Sequence, residues 1–136
     1  MKPDDLIRHA LDARARAYAP YSGFRVGAAV LTAEGELFTG ANVENASYGL
    51  TICAERVALA AAAAAGARRV ASLAVVSGPG ASMCGACRQF LAEFADDATS
   101  ILLGDGEGNH HSCHLPDLLP HAFDPNDLKR EGRDDA

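Results

Sequence analysis

At 136 residues the chain has the length of one small domain, large enough to bury a real core. Eighteen acidic residues against twelve basic ones leave a formal charge of −6, which argues against a polynucleotide partner, because such binders carry a basic face. No stretch reaches the roughly 18 apolar residues of a membrane span, and Met1-Lys2-Pro3-Asp4-Asp5 lacks the apolar centre of a secretory leader.

Residues 3–18 predict a first helix, with Leu6, Ile7, Ala10, Leu11, Ala13 and Ala17 recurring three and four apart. Pro20-Tyr21-Ser22-Gly23 breaks it. Residues 24–31 alternate as a strand, Ala33-Glu34-Gly35-Glu36 is a hairpin turn, and 37–43 form the returning strand. A polar loop covers 44–50. Thr51 is the expected N-cap of an alanine-rich helix over 52–65, which Gly66 stops. Residues 70–77 read as a buried strand and 78–82 as a loop. Residues 84–94 predict a helix with Cys87, Phe90, Leu91 and Phe94 on one face. A short strand follows at 100–103, then a turn over 104–112 with room for one more strand, then a helical turn at 115–119. Residues 126–136 are a charged tail expected to fray. This order predicts a single domain over 1–125, a three-layer α/β/α sandwich around a central mixed sheet.

Chemistry concentrates in Cys53-Ala54-Glu55 and Cys84-Gly85-Ala86-Cys87. Three thiolates can hold one Zn²⁺ and leave its fourth position open, the mark of a catalytic site. Glu55, two residues from a ligand, is placed to move protons on and off water there. Both helices are expected to carry these cysteines in their first turns, where partial positive charge favours thiolates. Three thiolates leave the centre anionic. Arg56, three residues after Cys53, is the expected compensating cation, and the spacing of Arg88 from Cys84 admits it as a second.

Each residue also has a plainer reading. A cysteine can be a small buried apolar residue or half of a disulfide, although four cysteines without a leader suggest reduced thiols in the cytoplasm. Glu55 can simply favour a helix dipole, and either arginine can be a solvated surface group. Cys113, among His110, His111 and His114, would close the site as a structural one if it supplied a fourth ligand. It can equally belong to a loop or edge strand.

The motifs resemble those of the small, homotetrameric cytidine deaminases that hold zinc with three cysteines. The likeness runs through Ala17-Tyr18-Ala19-Pro20-Tyr21-Ser22-Gly23-Phe24-Arg25-Val26-Gly27-Ala28-Ala29, Asn42-Val43-Glu44-Asn45-Ala46-Ser47-Tyr48, Cys53-Ala54-Glu55-Arg56 and Cys84-Gly85-Ala86-Cys87-Arg88-Gln89, and ends near Phe123. It implies one Zn²⁺ per subunit on Cys53, Cys84 and Cys87, with Glu55 as the catalytic acid and base. It implies hydrolysis of cytidine and deoxycytidine to uridine and deoxyuridine plus ammonia, in pyrimidine salvage. Asn42 and Glu44 would hold the ribose hydroxyls; an amide and a carboxylate two apart on extended chain project to one side, though both also suit a turn. Phe24 would pack on the pyrimidine unless it is plain core, and the Ala54 backbone would meet the base oxygen. Tyr48 and Phe123 would reach a neighbouring subunit's site, so active sites would lie at interfaces of a homotetramer. Two departures bear on the base pocket: Met83 stands where the family usually has Pro, and the 78–82 loop is short.

Other assignments for the same motifs are a deaminase of altered substrate, such as a nucleoside antibiotic or a polynucleotide, and a non-catalytic zinc module. Net acidity and Glu44, which would repel a nearby phosphate, favour a free nucleoside.

Overall fold

A computed structural model describes residues 1–129. The elements in chain order are α1 (Pro3–Arg14), β1 (Val26–Thr32), β2 (Leu37–Ala41), a 3-10 turn (Tyr48–Leu50), α2 (Ala54–Ala64), β3 (Val70–Ser77), α3 (Gly85–Ala92), β4 (Ser100–Gly104), β5 (His110–His114), α4 (Leu115–Leu118) and α5 (Pro125–Lys129). The strands form one sheet in the order β2-β1-β3-β4-β5. Only β3 and β4 pair in parallel, joined by the α3 crossover, so the sheet is mixed.

Alternation along each strand divides the core into two layers. Ala29, Ala74, Val76 and Leu102 face Leu6, Ile7 and Ala10 of α1. The intervening residues Ala28, Val30, Leu73, Val75, Ile101 and Leu103 face the other way, onto Ala58 and Leu59 of α2 and Cys87 and Leu91 of α3. Helices therefore cover both faces, as the sequence predicted. Two glycines permit the close approach. A Cβ on Gly27 would lie 2.0 Å from the Ala10 carbonyl oxygen, and one on Gly40 would lie 2.6 Å from the Ala58 nitrogen.

The boundaries differ from the sequence expectation where the chain pairs with distant segments. α1 ends at Arg14, not at residue 18, because Tyr18 donates its N–H to Asn42 O at 2.9 Å and accepts from Glu44 N at 2.9 Å. Strand pairing outcompetes another helical turn there. The expected extra strand exists as β5, an edge strand carrying Cys113 opposite Ile101. The start of the charged tail forms α5, and residues 130–136 lie outside the described residues.

Candidate active site

β2 and β3 both run antiparallel to β1, so they point the same way and release the chain at the same end of the sheet. Beyond β2 the chain loops out and returns, with Val43 and Ile52 exchanging backbone hydrogen bonds at 2.9 Å each way. It then enters α2. Beyond β3 it crosses the 78–82 loop and enters α3. Two helix N-termini therefore converge on one point.

The cysteines sit at those starts. Cys53 is the N-cap of α2 and Cys84 the N-cap of α3, one step earlier than the first-turn positions expected, while Cys87 lies in the first turn. Thr51 is not the cap; its hydroxyl oxygen accepts the Asn45 N–H at 3.3 Å. The Cys53 and Cys84 sulfurs stand 3.8 Å apart, and all three sulfurs lie within 4.8 Å of one another. A tetrahedral Zn²⁺ with bonds of about 2.3 Å spaces its sulfurs by about 3.8 Å, so the donor set fits the ion. Charge points the same way. Cys53 is held down at about 5, first by its hydrogen bond with the Cys87 thiol and further by Arg56. Cys87 is pushed up, first by that same bond and then by burial. A cation placed between these sulfurs would favour the thiolate form of both.

Among the described residues the cluster offers three thiols that could hold one metal ion. Cys113 is on the far edge strand and is not one of them.

Arg56 Nη2 reaches Cys53 Sγ at 3.8 Å and Thr51 O at 3.5 Å. Its Nε is buried with no acceptor among the described residues. Arg88, the other candidate cation, turns away from the sulfurs. It donates to Met83 O at 2.8 Å, Leu118 O at 2.6 Å and Ser82 Oγ at 3.1 Å. Its observed hydrogen bonds thus go to two backbone carbonyls and a serine hydroxyl, and none goes to a cysteine sulfur.

Glu55, in the first turn of α2, is 4% exposed. Burial raises its carboxyl above the usual range, and the Cys53 charge adds to that. A cavity of about 260 Å³ opens over it, with Phe24, Asn42, Glu44, Ala54, Cys53 and Cys84 in its walls. Asn42 accepts from Val26 N at 2.9 Å and donates to Phe24 O at 2.8 Å. One N–H of its amide is left over. The Glu44 carboxylate accepts from the backbone of Tyr21 and Ser22 and from the Ser22 hydroxyl.

Tyr48 and Phe123 do not reach this cavity within one chain. Tyr48 is 75% exposed and edge-on to Tyr21, ring centres 5.9 Å apart. Phe123 is exposed, its carbonyl held by Gln89 Nε2 at 3.0 Å. Met83 is buried in the core layer with Cys87 and Leu91 and does not line the cavity. Sequence reasoning missed Ser22, Ser77 and Ser82 as wall residues. Ser77 Oγ accepts from Gly80 N at 3.0 Å and Ala81 N at 2.7 Å, which folds the short loop over the cavity. No local pattern marks a serine as wall-forming; only Ser22, inside the quoted motif, carried a signal. A larger hollow of about 530 Å³, lined by Asp96, Asp97 and Asp124, holds none of the predicted site residues.

Residues 1–103 match the family described as the cytidine and deoxycytidylate deaminase zinc-binding region. The chain belongs to that deaminase family. It is 47% identical to the cytidine deaminase of Halalkalibacterium halodurans over 125 residues, covering 90% of this chain and 95% of the relative. Identity to the cytidine deaminase of Mycobacterium tuberculosis is also 47%, over 127 residues and 92% of each chain. The fold superposes on the crystal structure of cytidine deaminase from Burkholderia pseudomallei with a TM-score of 0.87 at 47% identity, covering 90% of this chain and 100% of that one. The three-sulfur cluster of this deaminase thus lies within the segment that matches a zinc-binding family. No helix among its described residues is long and apolar enough to cross a membrane.

Proposed function

We propose that this deaminase hydrolyses cytidine and deoxycytidine to uridine and deoxyuridine with release of ammonia. The observation that carries the reading is Glu55: a buried carboxyl, its affinity for protons raised by burial, lining a cavity together with Cys53 and Cys84 of the three-sulfur cluster. The names of the relatives support the substrate class.

Cys53, Cys84 and Cys87 would hold Zn²⁺, which when bound would supply the acidity that makes water nucleophilic at neutral pH. Glu55 accepts the proton that the attacking water gives up and delivers protons to N3 of the base and to the departing amino group. Its raised proton affinity suits both duties, because the group must hold a proton and release it within one turnover. Arg56 offsets the negative charge of the thiolates through Cys53. Phe24 packs on the pyrimidine and the Ala54 backbone meets its oxygen. Glu44 accepts from a ribose hydroxyl, and the remaining Asn42 N–H donates to one.

Tyr48 and Phe123 complete the cavity of a neighbouring subunit in a homotetramer. Support comes from a band of exposed apolar side chains, Tyr18, Val43, Tyr48, Leu50 and Ile52, on and beside the 42–52 excursion that carries Glu44. Such a band is unusual on a monomer. Four free cysteines suit a reducing compartment, which supports a cytoplasmic setting; the nucleoside reaction would serve pyrimidine salvage.

The test is incubation of zinc-loaded protein with cytidine, following loss of the cytosine absorbance and release of ammonia, with and without a chelator. Chelator-sensitive formation of uridine is the expected result. No turnover by folded, zinc-loaded protein would overturn the reading.

A further inference from the structure

Among the described residues Glu44 is the one carboxylate besides Glu55 in the cavity wall. A ribose hydroxyl can be recognised by it only if both its ionisation and its direction are set in advance. Neither comes from burial, since the surrounding segment is exposed. Both come from hydrogen bonds, two of them from Ser22, twenty-two positions away in sequence, and one from Tyr21 beside it. The Ser22 hydroxyl donates to Glu44 Oε2, and the Ser22 N–H donates to Oε1 at 3.1 Å, beside the Tyr21 N–H at 2.9 Å. Held by three donors, the carboxylate cannot rotate freely. The same Ser22 oxygen accepts the Phe24 N–H at 2.9 Å. One hydroxyl therefore ties the carboxylate to the backbone of the aromatic residue on the same wall, and Ser22 itself lines the cavity.

We infer that Ser22 is a positioning residue for nucleoside binding, fixing Glu44 for the sugar and Phe24 for the base through one side-chain oxygen. The inference deepens the proposed function and rests on its reading of Glu44 as the sugar acceptor. The hydroxyl acts through the free enzyme's geometry, so its loss weakens binding more than chemistry. Threonine can supply the same oxygen, and alanine cannot.

The experiment compares wild type, Ser22→Ala and Ser22→Thr, each zinc-loaded, on cytidine and on 2′,3′-dideoxycytidine, which lacks the hydroxyls that Glu44 would accept. With cytidine, S22A raises KM about tenfold, the loss expected for one hydrogen bond to a charged group, while kcat falls less than KM rises. S22T restores most of the KM. With the dideoxynucleoside the S22A penalty shrinks to the part owed to Phe24. A KM for cytidine unchanged in S22A, or a penalty of equal size on both substrates, overturns the inference. Failure of the underlying reading shows separately, as absence of cytidine turnover by the wild type. In that event an NMR titration of Glu44 still decides the contact: its carboxyl, lowered in the wild type chiefly by the Ser22 hydroxyl, moves up in S22A, and no movement refutes the assigned hold.

Discussion

Arg88 donates to the Leu118 carbonyl at 2.6 Å, tying the helix that carries two of the cysteines to a turn thirty residues later. Its other nitrogens hold Met83 O and Ser82 Oγ, so one guanidinium fixes both the entry to α3 and the end of α4. Arg88→Ala leaves the Leu118 and Met83 carbonyls without a partner. We expect a loss of about 2–3 kcal/mol in stability, with the zinc content per chain unchanged. Urea denaturation and metal analysis of the purified variant check this; a loss of zinc without loss of stability would instead return Arg88 to the metal centre.

Glu55→Gln keeps the shape of the side chain and removes its capacity to carry a proton. Zinc stoichiometry should stay at the wild-type level, while kcat falls by about two to four orders of magnitude. Steady-state kinetics beside metal analysis separate the two effects, and near-normal turnover would remove Glu55 from the proton-transfer role.

Met83 contributes to stability and not to recognition, because it is 2% exposed within the α2–α3 core layer and absent from the cavity wall. Met83→Ala should destabilise the protein by about 2–5 kcal/mol and leave the KM for cytidine near its wild-type value. A large rise in KM in folded, zinc-loaded protein would show that Met83 shapes the base pocket after all.

The Glu44 carboxyl is lowered below its ordinary value of 4.5 by the Ser22 hydroxyl and the Tyr21 and Ser22 N–H groups. A depressed carboxylate contributes stability that is fully present above its unfolded value and is lost as pH falls through its folded one. The contact should therefore stabilise the 21–44 junction at neutral pH and weaken only below pH 4.5. Urea midpoints measured down through that range should fall more steeply in the wild type than in Ser22→Ala, which has less to lose. Parallel curves would mean that the contact contributes nothing to acid sensitivity.

Much of the site was legible because its pattern is local. Cys53 with Glu55, and Cys84 with Cys87, each occupy a single helix start, and backbone geometry alone relates residues so close in sequence. Strand alternation was equally readable: Ala28 and Val30 against Ala29 assign two faces without knowledge of any neighbour. The end of α1 was less so, since Ala17 continues the helical period but Tyr18 finds Asn42 and Glu44.

What the sequence by itself determined is the set of donors, their spacing and the elements that carry them, because propensity and periodicity act over a few residues. The tertiary structure decided which of these meet. It brought two cap sulfurs 31 positions apart to 3.8 Å, turned Met83 into the core, sent Arg88 to backbone carbonyls and joined Ser22 to Glu44. Those contacts depend on strand order and helix packing, so their energies appear only when distant segments have closed on one another.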